Sequence, residues 1–254
     1  MDTQNNKLIS IIAIIITLAL PIDTMASSLG AYGRAICKSA GFFCLRVAHG
    51  ESWETLWPDP EERHIVMSIN RLSIPLFPGI KIAVPDNLTG MSLIDFSPFP
   101  ERIDPPGEKL ILFNPRLLAW AAYLPDGQLL RWGPASGGAG WCPDIQQSCR
   151  TKIGTFRIYS MGSVDCKSTK FPIPKGGAPM PYCMYFYGGQ ALHGSPNNLP
   201  GFNASHGCVR LLVDDAEWLR NDFIAKPSKG YHATKVIVQS YAADDVQEQQ
   251  DDGT

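Results

Sequence analysis

Apolar and polar positions along the chain fall into four successive patterns. Leu8 to Leu20 is a 13-residue apolar run interrupted only by Ser10 and Thr17. Lys7 precedes it, Pro21 ends it, and Thr24-Met25-Ala26 follows with small residues at the cleavage-determining positions. This is the layout of a secretory signal peptide over residues 1–26. A spanning helix needs about 20 apolar residues, so cleavage after Ala26 is expected rather than retention as an anchor. Residues 27–46 are small and Gly-containing and carry the first cysteine pair. In residues 47–86, Ile65 to Asn70 predicts a helix, and Pro78-Gly79-Ile80-Lys81-Ile82-Ala83-Val84-Pro85 alternates toward a half-buried strand closed by proline. A strand–helix–helix–strand unit of about 40 residues fits this stretch. Residues 87–108, with Pro98, Pro100, Pro105, Pro106 and Gly107, read as a linker.

Beyond the linker the period becomes that of strands. Lys109 to Pro115 and Leu117 to Leu124 are strand signals, and Pro125-Asp126-Gly127-Gln128 is a hairpin turn into a return strand over Leu129 to Trp132. Thr155 to Tyr159, Met184 to Leu192 and Lys235 to Tyr241 are further aromatic and β-branched runs. Helical periodicity is clear only in Val213 to Phe223, with Asp214 or Asp215 as the expected cap. Residues 109–241 therefore predict a mainly β domain with one clear helix. Residues 242–254 are acidic and polar and are expected to be disordered.

Composition narrows the function classes. With 44% hydrophobic and 18% charged residues the chain is ordinary for a globular protein. A formal net charge of -2 and the lack of any Lys/Arg run give no case for nucleic acid. Seven cysteines all follow residue 36. Export permits disulfides. Cys37 with Cys44, Cys142 with Cys149 and Cys166 with Cys183 are the expected local bridges, although spacing alone does not choose among the pairings of six cysteines. Cys208 is then left over, and an unpaired thiol in an oxidising compartment suggests a use.

Its neighbours supply one. Ala191-Leu192-His193-Gly194 is followed by Ser205-His206-Gly207-Cys208-Val209-Arg210-Leu211. A thiol nucleophile needs a base, donors for a developing oxyanion, and a group that fixes the base's tautomer. His193 ends a strand, His206 lies two residues before the thiol, and Gly207 lets the Gly207 and Cys208 N–H groups turn toward a carbonyl oxygen. The helix predicted from Val213 would start close after Cys208 and add partial positive charge. Zinc is the other reading of two histidines and a cysteine, but no carboxylate joins them to complete three or four ligands. His49, His64 and His232 have no such company.

His193-Gly194 with Ser205-His206-Gly207-Cys208-Val209-Arg210 resembles the signature of the L,D-transpeptidase (YkuD-type) family. Ser136-Gly137-Gly138 and Thr151-Lys152-Ile153-Gly154-Thr155-Phe156 extend the resemblance over about residues 109 to 240, with Lys152 where the family usually has proline. Trp141 to Arg150 and Met161 to Cys183 are cysteine-bearing inserts that depart from it. The resemblance implies an L,D-transpeptidase-type β-sandwich with one or two helices. Cys208 would be the nucleophile and His193 the general base, its ring held by the Gly194 carbonyl. Ser205, His206 and Gly207 would shape the oxyanion pocket, and Arg210 and Tyr182 would meet substrate. The alternative for Arg210 is a salt bridge to Asp214 or Asp215, and for Ser205 a plain turn hydroxyl. The implied reaction is acyl transfer on peptidoglycan stem peptides, without cofactor, in the periplasm or cell envelope. A stem amine, a protein lysine or water would accept the acyl group.

Gly50-Glu51-Ser52-Trp53, Asn70, Leu76, Pro78-Gly79, Ile82 and Val84-Pro85 resemble a small α+β LysM module. The resemblance implies binding to glycan strands, with Trp53 and Trp57 as the available aromatics, or else a spacer packed on the catalytic domain. Two rival readings remain: a papain-like wall hydrolase, in which Cys precedes His in the chain, and a non-catalytic wall-binding protein, which has no need of a free thiol.

Overall fold

The structure is a computed structural model that describes residues 29–225 and 233–242. The expected signal peptide, the tail beyond 242 and His232 lie outside these residues. Among the described residues no helix is long and apolar enough to cross a membrane.

A small unit comes first. It contains α1 (Ala31–Ile36), β1 (Phe42–Arg46), α2 (Trp53–Leu56), α3 (Pro60–Asn70) and β2 (Lys81–Pro85). Strand β1 pairs antiparallel with β2 from Phe42↔Pro85 to Arg46↔Lys81. The strand–helix–helix–strand unit thus starts before residue 47, inside the segment read as a separate N-terminal piece. The Cys37–Cys44 bond ties α1 to β1. Asp59 caps α3 by accepting from the Glu61 and Glu62 N–H groups, and Pro60 occupies the first turn, where no donor is needed. Asn70 explains itself by its bonds. Its amide donates to the Val66 and Ala83 carbonyls at 2.8 Å each and accepts from Ala83 N–H at 2.8 Å, so one buried side chain joins α3 to β2. Both Trp53 and Trp57 are buried in this unit's core, with ring centroids 5.6 Å apart. They are core residues, not an open aromatic surface. Strand β2 is buried over Ile82 to Pro85 rather than half-buried, because α1 and α3 both lie against it.

The larger unit is one nine-stranded sheet in the order β6-β11-β3-β4-β5-β10-β9-β8-β7. Its strands are β3 (Leu110–Asn114), β4 (Ala119–Tyr123), β5 (Leu129–Ser136), β6 (Gly154–Arg157), β7 (Ser160–Met161), β8 (Met184–Tyr187), β9 (Gln190–Gly194), β10 (Val209–Leu211) and β11 (Lys235–Val238). The pairs β3–β11 and β9–β10 are parallel. The two ends of the sheet meet: Phe156 packs on Phe186 and Tyr187, and Tyr159 N–H donates to Tyr185 O at 2.9 Å. The sheet therefore curls into two facing layers around Ile111, Phe113, Trp120, Met184, Leu192, Val209 and Leu211. This is the mainly β, sandwich-like architecture expected.

The segment read as a linker is packed. Leu93, Phe96, Phe99 and Ile103 cover the outer face of β3 to β5, Trp132 Nε1 donates to Leu93 O at 2.7 Å, and Tyr123 OH donates to Pro100 O at 2.9 Å. This cover explains why all of Ala119–Tyr123 is buried. Helix α4 (Val213–Trp218) continues as a wider turn through Phe223. Neither Asp214 nor Asp215 caps it. Leu212 holds the cap position with no side-chain bond.

Arg71 joins the two units. It is fully buried, and its guanidinium lies 4.7 Å from the Tyr32 ring centroid and 4.8 Å from that of Trp132. It donates to the Leu117, Ser68 and Ile69 carbonyls and to Tyr32 OH. Burial pulls its pKa down to about 10, which still leaves it charged at neutral pH. Arg71→Ala strips several buried acceptors of their donor at once, at about 1–3 kcal/mol each. We expect it to lower the thermal midpoint by roughly 6 °C or more, read by calorimetry against an exposed Arg116→Ala control.

Candidate active site

Strand geometry sets the site. Arg210 lies directly opposite His193 and Val209 opposite Leu192 in the parallel β9–β10 pair. Side chains alternate along a strand, so Val209, Leu211 and Leu192 enter the core while His193, Arg210 and, two residues before it, Cys208 share the other face. Tyr185, opposite Ala191 in β8, joins that face. All four border a cavity of about 640 Å³. Cys208 is the free cysteine among the described residues. The other six form the three expected bonds.

His193 is 5% exposed, and its Nδ1 lies 2.8 Å from the Gly194 carbonyl oxygen. A carbonyl only accepts, so Nδ1 carries the proton and the Nε2 lone pair is left to act as a base. Burial pulls the His193 pKa down to about 4, with Arg210 acting in the same direction and the Gly194 bond against it. Burial also pushes the Cys208 thiol up, partly offset by the Ala191 main chain and by Arg210. The resting pair is thus neutral imidazole and neutral thiol. Helix α4 starts at Val213, as its periodicity predicts, but strand β10 lies between it and Cys208. Burial, rather than the partial charge of that helix terminus, is the largest influence on the thiol.

The turn before the thiol is tightly pinned. Ser205 Oγ accepts from Gly207 N–H at 3.0 Å and donates to the Cys208 carbonyl. Ser205 is thus a turn-closing hydroxyl, and Gly207 N–H, expected to face an oxyanion, is already bonded. Gly207 has φ 117° and abuts the Gln190 amide, whose Oε1 accepts from Lys152 N–H at 2.9 Å. The Ser136-Gly137-Gly138 strand end holds the same turn. Gly137 O accepts from Ser205 N–H at 2.9 Å, Ala139 N–H donates to Ser205 O at 2.8 Å, and a Cβ on Gly138 would overlap the Cys149 carbonyl. Thr151 Oγ1 accepts from Gly138 N–H at 3.0 Å.

His206 is held by a carboxylate and an aromatic ring. Its Nε2 meets both Asp144 carboxylate oxygens, at 2.8 and 3.0 Å, and its ring stacks on Phe171 at 4.2 Å. Asp144 belongs to the insert closed by Cys142–Cys149, and Phe171 to the insert closed by Cys166–Cys183. The two inserts therefore meet on one imidazole at the rim of the cavity. Cys142, Cys149 and His206 lie close together, but both sulfurs are spent in the disulfide, which leaves His206 as a lone nitrogen donor. His206→Ala should loosen the rim and lower kcat/KM by roughly tenfold, as misplacement of a positioning surface does. Limited proteolysis should cut the inserts faster in that variant.

Arg210 faces the cavity and donates to Asn198 Oδ1 at 3.4 Å. Among the described residues Arg210 has no salt bridge to Asp214 or Asp215, and Asp215 is instead fully buried and paired with Arg131 at 2.7 Å. Tyr182 does not line the cavity. Its hydroxyl donates to Glu217 Oε1 at 2.8 Å, which directs the ring to α4. Asp144, Phe171, Gln190 and Asn198 carry no motif and reach the site only through the fold.

Fold and site together define a mainly β catalytic domain with a histidine and a free cysteine in one cavity. The L,D-transpeptidase catalytic domain model (YkuD) matches residues 109–238, 130 of the 254 positions, and the chain belongs to that family. Similar solved structures include an L,D-transpeptidase from Xylanimonas cellulosilytica, 24% identical over 64% of this chain and 73% of that one, with a TM-score of 0.46. An L,D-transpeptidase from Mycobacterium smegmatis is 24% identical over 52% and 59%, with a TM-score of 0.41. One from Stackebrandtia nassauensis is 18% identical over 57% and 61%, with a TM-score of 0.42. No curated protein sequence matches the chain.

Proposed function

We propose that the protein transfers acyl groups of peptidoglycan stem peptides through Cys208, as an exported L,D-transpeptidase. The observation that carries this reading is the fixed tautomer of His193, with Nδ1–H on the Gly194 carbonyl, in the same cavity as the free thiol.

His193 Nε2 takes the Cys208 proton as the sulfur attacks the carbonyl carbon of the third residue of a tetrapeptide stem. Because both groups rest neutral, proton transfer accompanies attack rather than preceding it. The tetrahedral intermediate collapses by breaking the C–N bond to the terminal D-Ala, whose amine receives the proton from His193. A thioester on Cys208 remains. An amine of a second stem then attacks it, gives its proton to His193, and expels the thiolate, which is reprotonated. Water in place of the amine makes the reaction a carboxypeptidase step, and a protein lysine makes it an anchoring step. Arg210, on the cavity wall, supplies a fixed positive charge for a substrate carboxylate. Only protein groups enter these steps.

Export belongs to the same reading. Three disulfide bonds suit an oxidising compartment, and removal of residues 1–26 would deliver the chain to the periplasm or envelope. The test is mass spectrometry of disaccharide-tetrapeptides incubated with the mature protein. Loss of D-Ala with appearance of 3–3 linked dimers is expected. Unchanged muropeptides at high enzyme concentration would sink the proposal.

A further inference from the structure

The loop from 195 to 204 runs between His193 and Cys208, and part of its backbone support comes from outside the catalytic domain. Ser73, just after α3 in the N-terminal unit, donates its N–H to Leu199 O at 2.9 Å, and its Oγ accepts from Leu199 N–H at 3.0 Å. The neighbouring residues Leu72 and Pro200 form an antiparallel bridge. Leu72 and Leu199 are fully buried and Ser73 is nearly so. Residues 72–73 thus serve as a short strand partner to the loop. Buried backbone groups need such partners, and here a different unit provides them. Next to Leu199, Asn198 accepts from Arg210. Arg210 stands opposite His193 and on the face of Cys208.

We propose that Ser73 is a positioning residue for the catalytic pair: from the N-terminal unit it fixes the 198–200 backbone, and through Asn198 the guanidinium of Arg210 beside Cys208 and His193. The inference rests on the thiol chemistry proposed above. It gives the N-terminal unit a part in the reaction that needs no glycan. Arg210 offsets part of the rise that burial imposes on Cys208 and adds to the fall that burial imposes on His193, so a displaced guanidinium alters the thiol's ionisation. The other titratable groups around the thiol are His193, Tyr185, His206, Arg150 and Lys170, which line the same cavity.

The test is the rate of Cys208 alkylation by iodoacetamide as a function of pH, on the full mature protein and on Ser73→Ala, Ser73→Thr and Asn198→Ala. Thermal midpoints are measured alongside. Ser73→Thr keeps the hydroxyl, and Ser73 borders a groove of about 310 Å³. Ser73→Ala should move the labelling midpoint upward and slow the reaction near neutral pH by roughly three- to tenfold, in proportion to the lost thiolate fraction. Asn198→Ala, at the cavity wall and outside the core, should reproduce the shift, and Ser73→Thr should restore the wild-type profile. A Ser73→Ala protein with a lowered melting point but the wild-type labelling profile would overturn the proposal, since Ser73 would then only cement the units. So would an Asn198→Ala profile identical to wild type. Alkylation requires no acyl substrate, so its outcome is read independently of the muropeptide experiment. A wild-type thiol that resists alkylation at every pH removes the thiol reading, and this one with it.

Discussion

Cys208→Ser should abolish turnover of tetrapeptide stems, a loss of about 10⁴-fold or more. The reason is specific to the pair. The base at His193 is held with its lone pair on Nε2, and with a pKa of about 4 it is weak. Such a base assists loss of a proton from a thiol far better than from a serine hydroxyl, whose pKa is much higher. The same variant should show no covalent adduct with carbapenem β-lactams, while wild type should gain the mass of one drug molecule. Intact-protein mass spectrometry reads both. An adduct on the Ser variant, or on another residue of the wild type, would remove Cys208 from the nucleophile's role.

His193→Ala should cost 10²–10⁴-fold in kcat/KM, the usual contribution of a general base, with the fold retained. In wild type, kcat/KM should fall as pH drops through about 4, because that is where burial places the imidazole's protonation in the free enzyme. An ordinary histidine would set that limb near 6.5. The sign for stability follows from the same depression. Between about 6.5 and 4 the unfolded chain binds a proton that the folded one refuses, so His193's neutral burial favours the fold above this window and its contribution is lost as pH falls through it. A pH–rate profile with its acid limb at 6 or above would contradict the buried, neutral base.

Much of this arrangement was legible beforehand, and the parts that were not share a cause. The strands at Leu110–Asn114, Ala119–Tyr123 and Lys235–Val238 announced themselves because each is long enough to show a pattern. The strand Val209–Leu211 has three residues, too few for a period, so the residues between the thiol and the helix at Val213 carried no strand signal. Strand β1 lay hidden in a small, cysteine-bearing segment, and β5 continues through Gly133-Pro134, which normally end a strand. At the site, Cys208, His193, Ser205, Gly207 and Arg210 stood in one local motif. Asp144 lies 62 residues from His206, and Gln190 lies 38 from Lys152. Partners at such distances leave no local trace. Tyr182 illustrates the converse, since a tyrosine close to the motif in sequence turns to Glu217 instead.

The meeting of the two inserts on His206 sets the entrance of the cavity in a particular mechanical form. Each insert is a closed ring, one of 7 and one of 17 residues' separation, so neither can unravel along the chain. Both lean on the same imidazole. The width of the doorway is then set where the two rings meet on His206. Lengthening or shortening either ring would retune which acyl donors and acceptors fit, while the sheet that carries His193, Cys208 and Arg210 stayed as it is.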